Sequence, residues 1–159
     1  MTDMTAADVT AFLDLAERLG MHCWIDGGWA VDACLGRQTR RHADLDIVVD
    51  RSDINPVAKA LRAQGYETAL RNDARSENFA LGDAAGHEVD LHVIDLYPSG
   101  SLTGTGEIAG RKVACVAPEW LVKFHSGYTL DENDWADVSA LCEKFAIPVP
   151  AEFDSFRSR

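Results

Sequence analysis

The sequence predicts an α+β fold: a small mixed sheet with flanking helices, followed by a C-terminal helical segment. Three observations carry this. Short β-branched runs alternate with stretches of helical period. Two of the strand-like runs, DLDIVVD (44–50) and EVDLHVI (88–94), alternate acidic with apolar residues. Beyond Pro118 only helical signals remain. The 159 residues, 47% hydrophobic and 26% charged, suffice for one domain with a real core.

Taken in order, Thr5 and Asp8 form a capping signal before a helix with Val9, Phe12, Leu13, Ala16 and Leu19 on one face, and Gly20 ends it. CWID (23–26) reads as a short strand, interrupted by Gly27 and Gly28, and a brief helix runs from Trp29 to Leu35. Residues 37–43 are polar and basic, hence a loop, and the 44–50 strand follows. Ser52 or Asp53 caps the next helix, with Pro56 in its first turn and Gly65 at its end. Strands are expected over 66–70, 78–81, 88–94 and 111–116, with a mobile Gly/Ser/Thr-rich loop over 98–106. Pro118 opens a helix to about Ser126, a last helix covers 132–145, and the tail beyond Pro148 has no periodicity. The expected organisation is a core of 1–117 with the helical segment 118–159 packed on it as one compact domain.

The totals exclude several classes. No apolar run is long enough to span a bilayer, and MTDMTAADVT lacks a basic leader, so a cytoplasmic protein with no membrane association is expected. The cysteines at 23, 34, 115 and 142 show no zinc-site spacing and are expected as reduced, packed thiols. A formal charge of -11 disfavours nucleic acid and favours a cationic partner.

Chemistry concentrates on the two alternating strands. Asp44 and Asp46 fall on one face, roughly 7 Å apart along the strand, while Leu45, Ile47 and Val49 face the core. Adjacent carboxylates repel, and a hard divalent cation such as Mg²⁺ resolves that repulsion. On the second strand Glu88, Asp90 and His92 form the polar face. If the strands are neighbours, Asp90 joins the pair, and three carboxylates suit a two-metal site. Gly27 and Gly28, between strand and helix, let the backbone approach phosphate oxygens at a helix N-terminus.

In this order, WIDGGWAVD (24–32), RRHADLDI (40–47), DLH (90–92) and FHSGY (124–128) resemble the polymerase-β-like nucleotidyltransferases. The likeness is to the small antibiotic-modifying members, lincosamide type first and aminoglycoside 2″ type next, and it runs from the first helix to about Leu141. The resemblance implies that Asp44 and Asp46 ligate metal and that Asp90 is a third ligand or the general base. It implies that Gly27 and Gly28 cradle a triphosphate, with Arg40 and His42 in the Arg-x-His-x-Asp-x-Asp spacing beside them. Glu88, His92 and Tyr128 are the candidate acceptor contacts. The implied reaction is Mg²⁺-dependent, with two ions expected, and moves a nucleoside monophosphate from ATP or another nucleoside triphosphate to a hydroxyl of a basic antibiotic, releasing pyrophosphate. The size is compatible with a homodimer. Two alternatives stand beside this reading: a toxin–antitoxin-type nucleotidyltransferase acting on a protein or tRNA, and a non-catalytic nucleotide-binding protein on the same fold. Asp26 is expected to orient the Gly-Gly turn, Asp32 to be a solvated charge or an amine contact, and Lys123 to be an exposed helix lysine.

Overall fold

The computed structural model of the chain describes residues 2–69 and 78–158. Among them, seven strands form one mixed sheet in the order β3-β4-β5-β2-β1-β7-β6. The strands are β1 (Cys23–Asp26), β2 (Asp44–Val49), β3 (Glu67–Thr68), β4 (Asn78–Gly82), β5 (Glu88–Val93), β6 (Gly104–Ile108) and β7 (Arg111–Cys115). The helices are α1 (Ala6–Arg18), α2 (Gly27–Leu35), α3 (Ile54–Ala63), α4 (Pro118–Phe124), α5 (Glu132–Phe145) and α6 (Asp154–Arg157). The expected α+β class is what the chain adopts. The β2/β5 and β1/β7 pairs are parallel and the others antiparallel.

The centre of the sheet is decided by period-two burial. Leu45, Ile47, Val49, Leu91 and Ile25 are completely shielded, so the opposite face of the same strands carries the acidic residues. At α1 the Thr5/Asp8 capping box forms as expected. Its buried stripe is Val9, Phe12, Leu15 and Ala16, whereas Leu19, at the C-cap, turns 41% of its surface to solvent.

Several local expectations are corrected. The turn before α3 is capped by Asp50, which accepts from the Ser52 N–H at 3.0 Å, while Asp53 makes no side-chain cap bond. The strand expected over 66–70 is limited to Glu67–Thr68, with Leu70 outside the described residues. Much of the 98–106 segment is built structure rather than a mobile loop. Ser101 is fully buried, its carbonyl accepts from the Ala117 N–H at 2.8 Å, and β6 begins at Gly104. The glycines there serve close approach: a Cβ on Gly104 would lie 2.7 Å from the Val116 carbonyl, and one on Gly106 would collide with the Ala33 backbone of α2. The tail also packs. Phe153 is fully buried with its ring centroid 5.8 Å from Trp135, and Phe156 stacks on Trp135 at 6.3 Å. All four cysteines are free, and the Cys34 and Cys115 sulfurs lie 3.7 Å apart in the core. No helix among the described residues is long and apolar enough to cross a membrane.

Candidate active site

Strand β2 lies between β5 and β1, and the register places Asp46 opposite Asp90 on one side and opposite Asp26 on the other. Asp44 stands opposite Glu88. One carboxylate oxygen from each of Asp44, Asp46 and Asp90 lies within 4.8 Å of the other two, and Asp90 is only 8% exposed. Burial, opposed by the hydrogen bond from His92 and aided by the Asp44 and Asp90 charges, lifts the Asp46 pKa to about 6. His92 Nε2 is 3.0 Å from Asp46 Oδ1. Burial alone would lower the His92 imidazole, but the Asp46 bond and charge outweigh it and its pKa lies above the ordinary value. Three oxygen donors crowded against mutual repulsion, with no sulfur among them, fit a hard divalent cation better than a soft one.

Beside this cluster, α2 starts at Gly27 itself, two residues earlier than expected. Gly27 is in the left-handed region at φ +64°, and a Cβ there would collide with the Asp46 carboxylate. Asp26 ends β1 and caps the helix, its Oδ1 accepting from the Gly27 N–H at 2.7 Å. Its Oδ2 accepts from the Tyr97 hydroxyl at 2.6 Å. Burial and the adjacent Asp26 charge push the Tyr97 phenol far up, so it remains a donor.

Arg40 and His42 converge on Gly28. A Cβ at Gly28 would lie 2.5 Å from His42 Nδ1 and 2.9 Å from the Arg40 guanidinium. His42 is 3% exposed, and its Nε2 is 2.5 Å from Asp32 Oδ2. Asp32 also accepts from the Thr39 hydroxyl at 2.6 Å. Asp32 is therefore neither solvated nor free for a substrate amine; it is 1% exposed and bound to the loop that carries His42. Arg40 is paired with Asp137 of α5 at 3.0 Å.

An open cavity of about 470 Å³ is lined by Asp26, Gly27, Asp46 and His92 together with Leu121, Phe124, His125 and Tyr128. Tyr128 is 52% exposed and donates to Asp134 at 3.1 Å. His92 and Tyr128 thus share one cavity, whereas Glu88, beside Asp44, is not among the described residues lining it. Lys123 lies 4.3 Å from the Trp120 ring centroid as a cation–π pair.

Sequence reasoning missed Asp32 as a support, and it missed Tyr97 and Asp137 altogether. For Asp32 a signal existed. Its neighbours Trp29, Ala30, Val31, Ala33 and Cys34 are apolar around the whole helix, so α2 is a buried helix and a charge in it must be paired.

A family model described as aminoglycoside-2″-adenylyltransferase matches residues 8–103 and 97–141. A lincosamide resistance protein of Staphylococcus haemolyticus is 30% identical over 160 residues, covering 87% of this chain and 95% of that protein. A 2″-aminoglycoside nucleotidyltransferase of Klebsiella pneumoniae is 51% identical over 132 residues, 77% of this chain and 75% of that protein. The lincomycin-bound crystal structure of the lincosamide antibiotic adenylyltransferase LnuA matches with a TM-score of 0.77 at 28% identity, over 92% of this chain and all of that one.

Proposed function

The chain belongs to the aminoglycoside-2″-adenylyltransferase family of antibiotic nucleotidyltransferases, and from that premise we propose that it moves a nucleoside monophosphate from ATP, or another nucleoside triphosphate, to a hydroxyl of a small basic antibiotic. The observation that carries this is the convergence of Asp44, Asp46 and Asp90 within 4.8 Å, beside the glycine-started helix α2.

Asp44, Asp46 and Asp90 would hold Mg²⁺, with two ions expected. What Mg²⁺ supplies there is positive charge against the triphosphate and the departing pyrophosphate. The Gly28 and Trp29 amides, at the positive end of α2, bind phosphate oxygens. Arg40 and His42 border the same spot and orient the triphosphate. Asp90 takes the proton of the acceptor hydroxyl as the new oxygen–phosphorus bond forms and the bond to pyrophosphate breaks. The acceptor occupies the cavity between His92 and Tyr128, walled by the helical segment 118–159 that packs on the 1–117 core.

A lincosamide is the first acceptor, supported by the fuller coverage of the lincosamide relative and of the lincomycin-bound structure. An aminoglycoside is the second, favoured by the 51% identity to the Klebsiella enzyme. The decisive assay incubates the protein with ATP, Mg²⁺ and separate antibiotics, lincomycin and tobramycin among them, and reads masses for one added adenylate. Absence of any adduct across both classes, in a folded protein that consumes no ATP, sinks the reading. A cytoplasmic homodimer completes the proposal, and gel filtration with light scattering measures the second half of it.

A further inference from the structure

A helix N-cap aspartate ordinarily turns its carboxylate over the second or third amide of the helix, satisfying donors that would otherwise lack a partner. In α2 those amides belong to Gly28 and Trp29. Asp26 does something else: it reaches only the first amide, Gly27, at 2.7 Å, and its second oxygen is held by the Tyr97 hydroxyl at 2.6 Å. Among the described residues, both oxygens of this carboxylate are accounted for by those two bonds. Tyr97 is itself well fixed. Its N–H donates to the Ile94 carbonyl at 3.0 Å, and its ring meets His92 edge-on at 6.4 Å and Phe124 at 5.9 Å.

We propose that Tyr97 is a positioning residue for nucleotide binding: by holding the Asp26 carboxylate on Gly27, it keeps the Gly28 and Trp29 amides clear for triphosphate oxygens. This rests on the nucleotidyltransferase reading above. Without the hydroxyl, the carboxylate has an unengaged oxygen beside the positive end of α2 and turns it toward the Gly28 and Trp29 amides. A negative group then stands where phosphate must bind, and the triphosphate has to displace it. The same geometry assigns Asp26, which lies opposite Asp46 in the β1/β2 register, as a turn-setting group and not as a fourth metal ligand.

Tyr97→Phe tests this, because it keeps the ring against His92 and Phe124 and removes only the donor. Titration of the full chain with α,β-methylene-ATP and Mg²⁺ is expected to show binding weakened on the order of tenfold, the worth of one good phosphate contact. In turnover, the loss appears in the KM for ATP more than in kcat. Thermal stability is expected to fall only slightly, by the loss of the one hydrogen bond to the Asp26 carboxylate. In an Asp26→Asn background, where no charge is released, the same tyrosine change is expected to have no effect on binding. Unchanged affinity in Tyr97→Phe overturns the proposal, as does an equal loss in both backgrounds. Asp26→Asn losing Mg²⁺-dependent binding as completely as Asp46→Asn would also overturn it, by making Asp26 a ligand. Failure of the unmodified protein to bind the analogue overturns the nucleotidyltransferase reading itself, and is read separately from any variant.

Discussion

Gly27 and Gly28 are glycines for different reasons. Gly27 has a left-handed backbone pressed against the Asp46 carboxylate, while Gly28 gives its Cβ space to His42 and Arg40. The His42 ring cannot yield easily, being 3% exposed and tied to Asp32 at 2.5 Å. Gly28→Ala is therefore expected to destabilise the fold by about 1–3 kcal/mol, the ordinary cost of overpacking, and to weaken nucleotide binding by displacing both basic side chains. Urea unfolding and analogue titration measure the two effects; an alanine variant normal in both would mean the ring moves aside freely. Asp46 shows the opposite relation, a residue whose own charge works against the metal-free fold. Its pKa is raised to about 6, so between the unfolded carboxylate range and pH 6 the native state binds the proton more tightly. Metal-free stability from this group is thus full in acid and is lost as pH rises through about 6. Asp46→Asn removes that loss while keeping an acceptor for His92. In EDTA at pH 7.5 the variant is expected to be more stable by something on the order of 2 kcal/mol, and to catalyse no transfer. Melting curves from pH 4 to pH 8 check the sign; an asparagine variant less stable at neutral pH, or one that retains turnover, refutes the account of the cluster.

Helix α2 and the 37–43 loop form one unit, because Asp32 in the helix holds both Thr39 and His42 of the loop. Removing one member of such a buried set leaves the others without a partner. Asp32→Ala is expected to destabilise by about 1–3 kcal/mol and to raise the KM for ATP, since the freed loop also carries Arg40. Retained stability together with an unchanged KM would show that the loop holds itself. Which elements were legible in the sequence follows the same physics. The alternation in β2 and β5 marks both the core and the acidic face, since a strand sends successive side chains to opposite sides. That these two strands are parallel neighbours, aligned Asp46 to Asp90, was an assumption in the sequence; it depends on a crossover through α3 and β4 that no local pattern encodes. Strand β6 was missed because its glycines, Gly104 and Gly106, read as loop, although close backbone approach is what requires them. Tyr97 and Asp137 were illegible because each acts across the fold, one 71 residues from its partner and the other 97. The packed tail was missed because Phe153 and Phe156 gain meaning only beside Trp135.

At the scale of the whole molecule the dominant quantity is charge, -11 from 15 basic and 26 acidic residues. Some of that charge borders the cavity. The first turn of α5 carries Glu132 and Asp134, Asp131 caps it, and Asp134 accepts from the cavity residue Tyr128. A negative field attracts a cationic acceptor and repels the anionic nucleotide, so salt should act on the two substrates with opposite sign. Raising NaCl from about 50 to about 500 mM shortens the screening length to a few ångströms and should remove most of both effects. The kcat/KM for a multiply charged aminoglycoside is then expected to fall several-fold, and that for a singly charged lincosamide to fall much less. Under the same change the KM for ATP, with Mg²⁺ kept in excess, should stay level or improve. Steady-state kinetics in the two salts decides the matter. If both kinds of acceptor are insensitive to salt, the acidic surface serves solubility alone. If the KM for ATP worsens as steeply as acceptor use does, the field at the site is set locally by Arg40 and the other basic groups around Gly28, and the net charge of the chain has no part in selecting substrates.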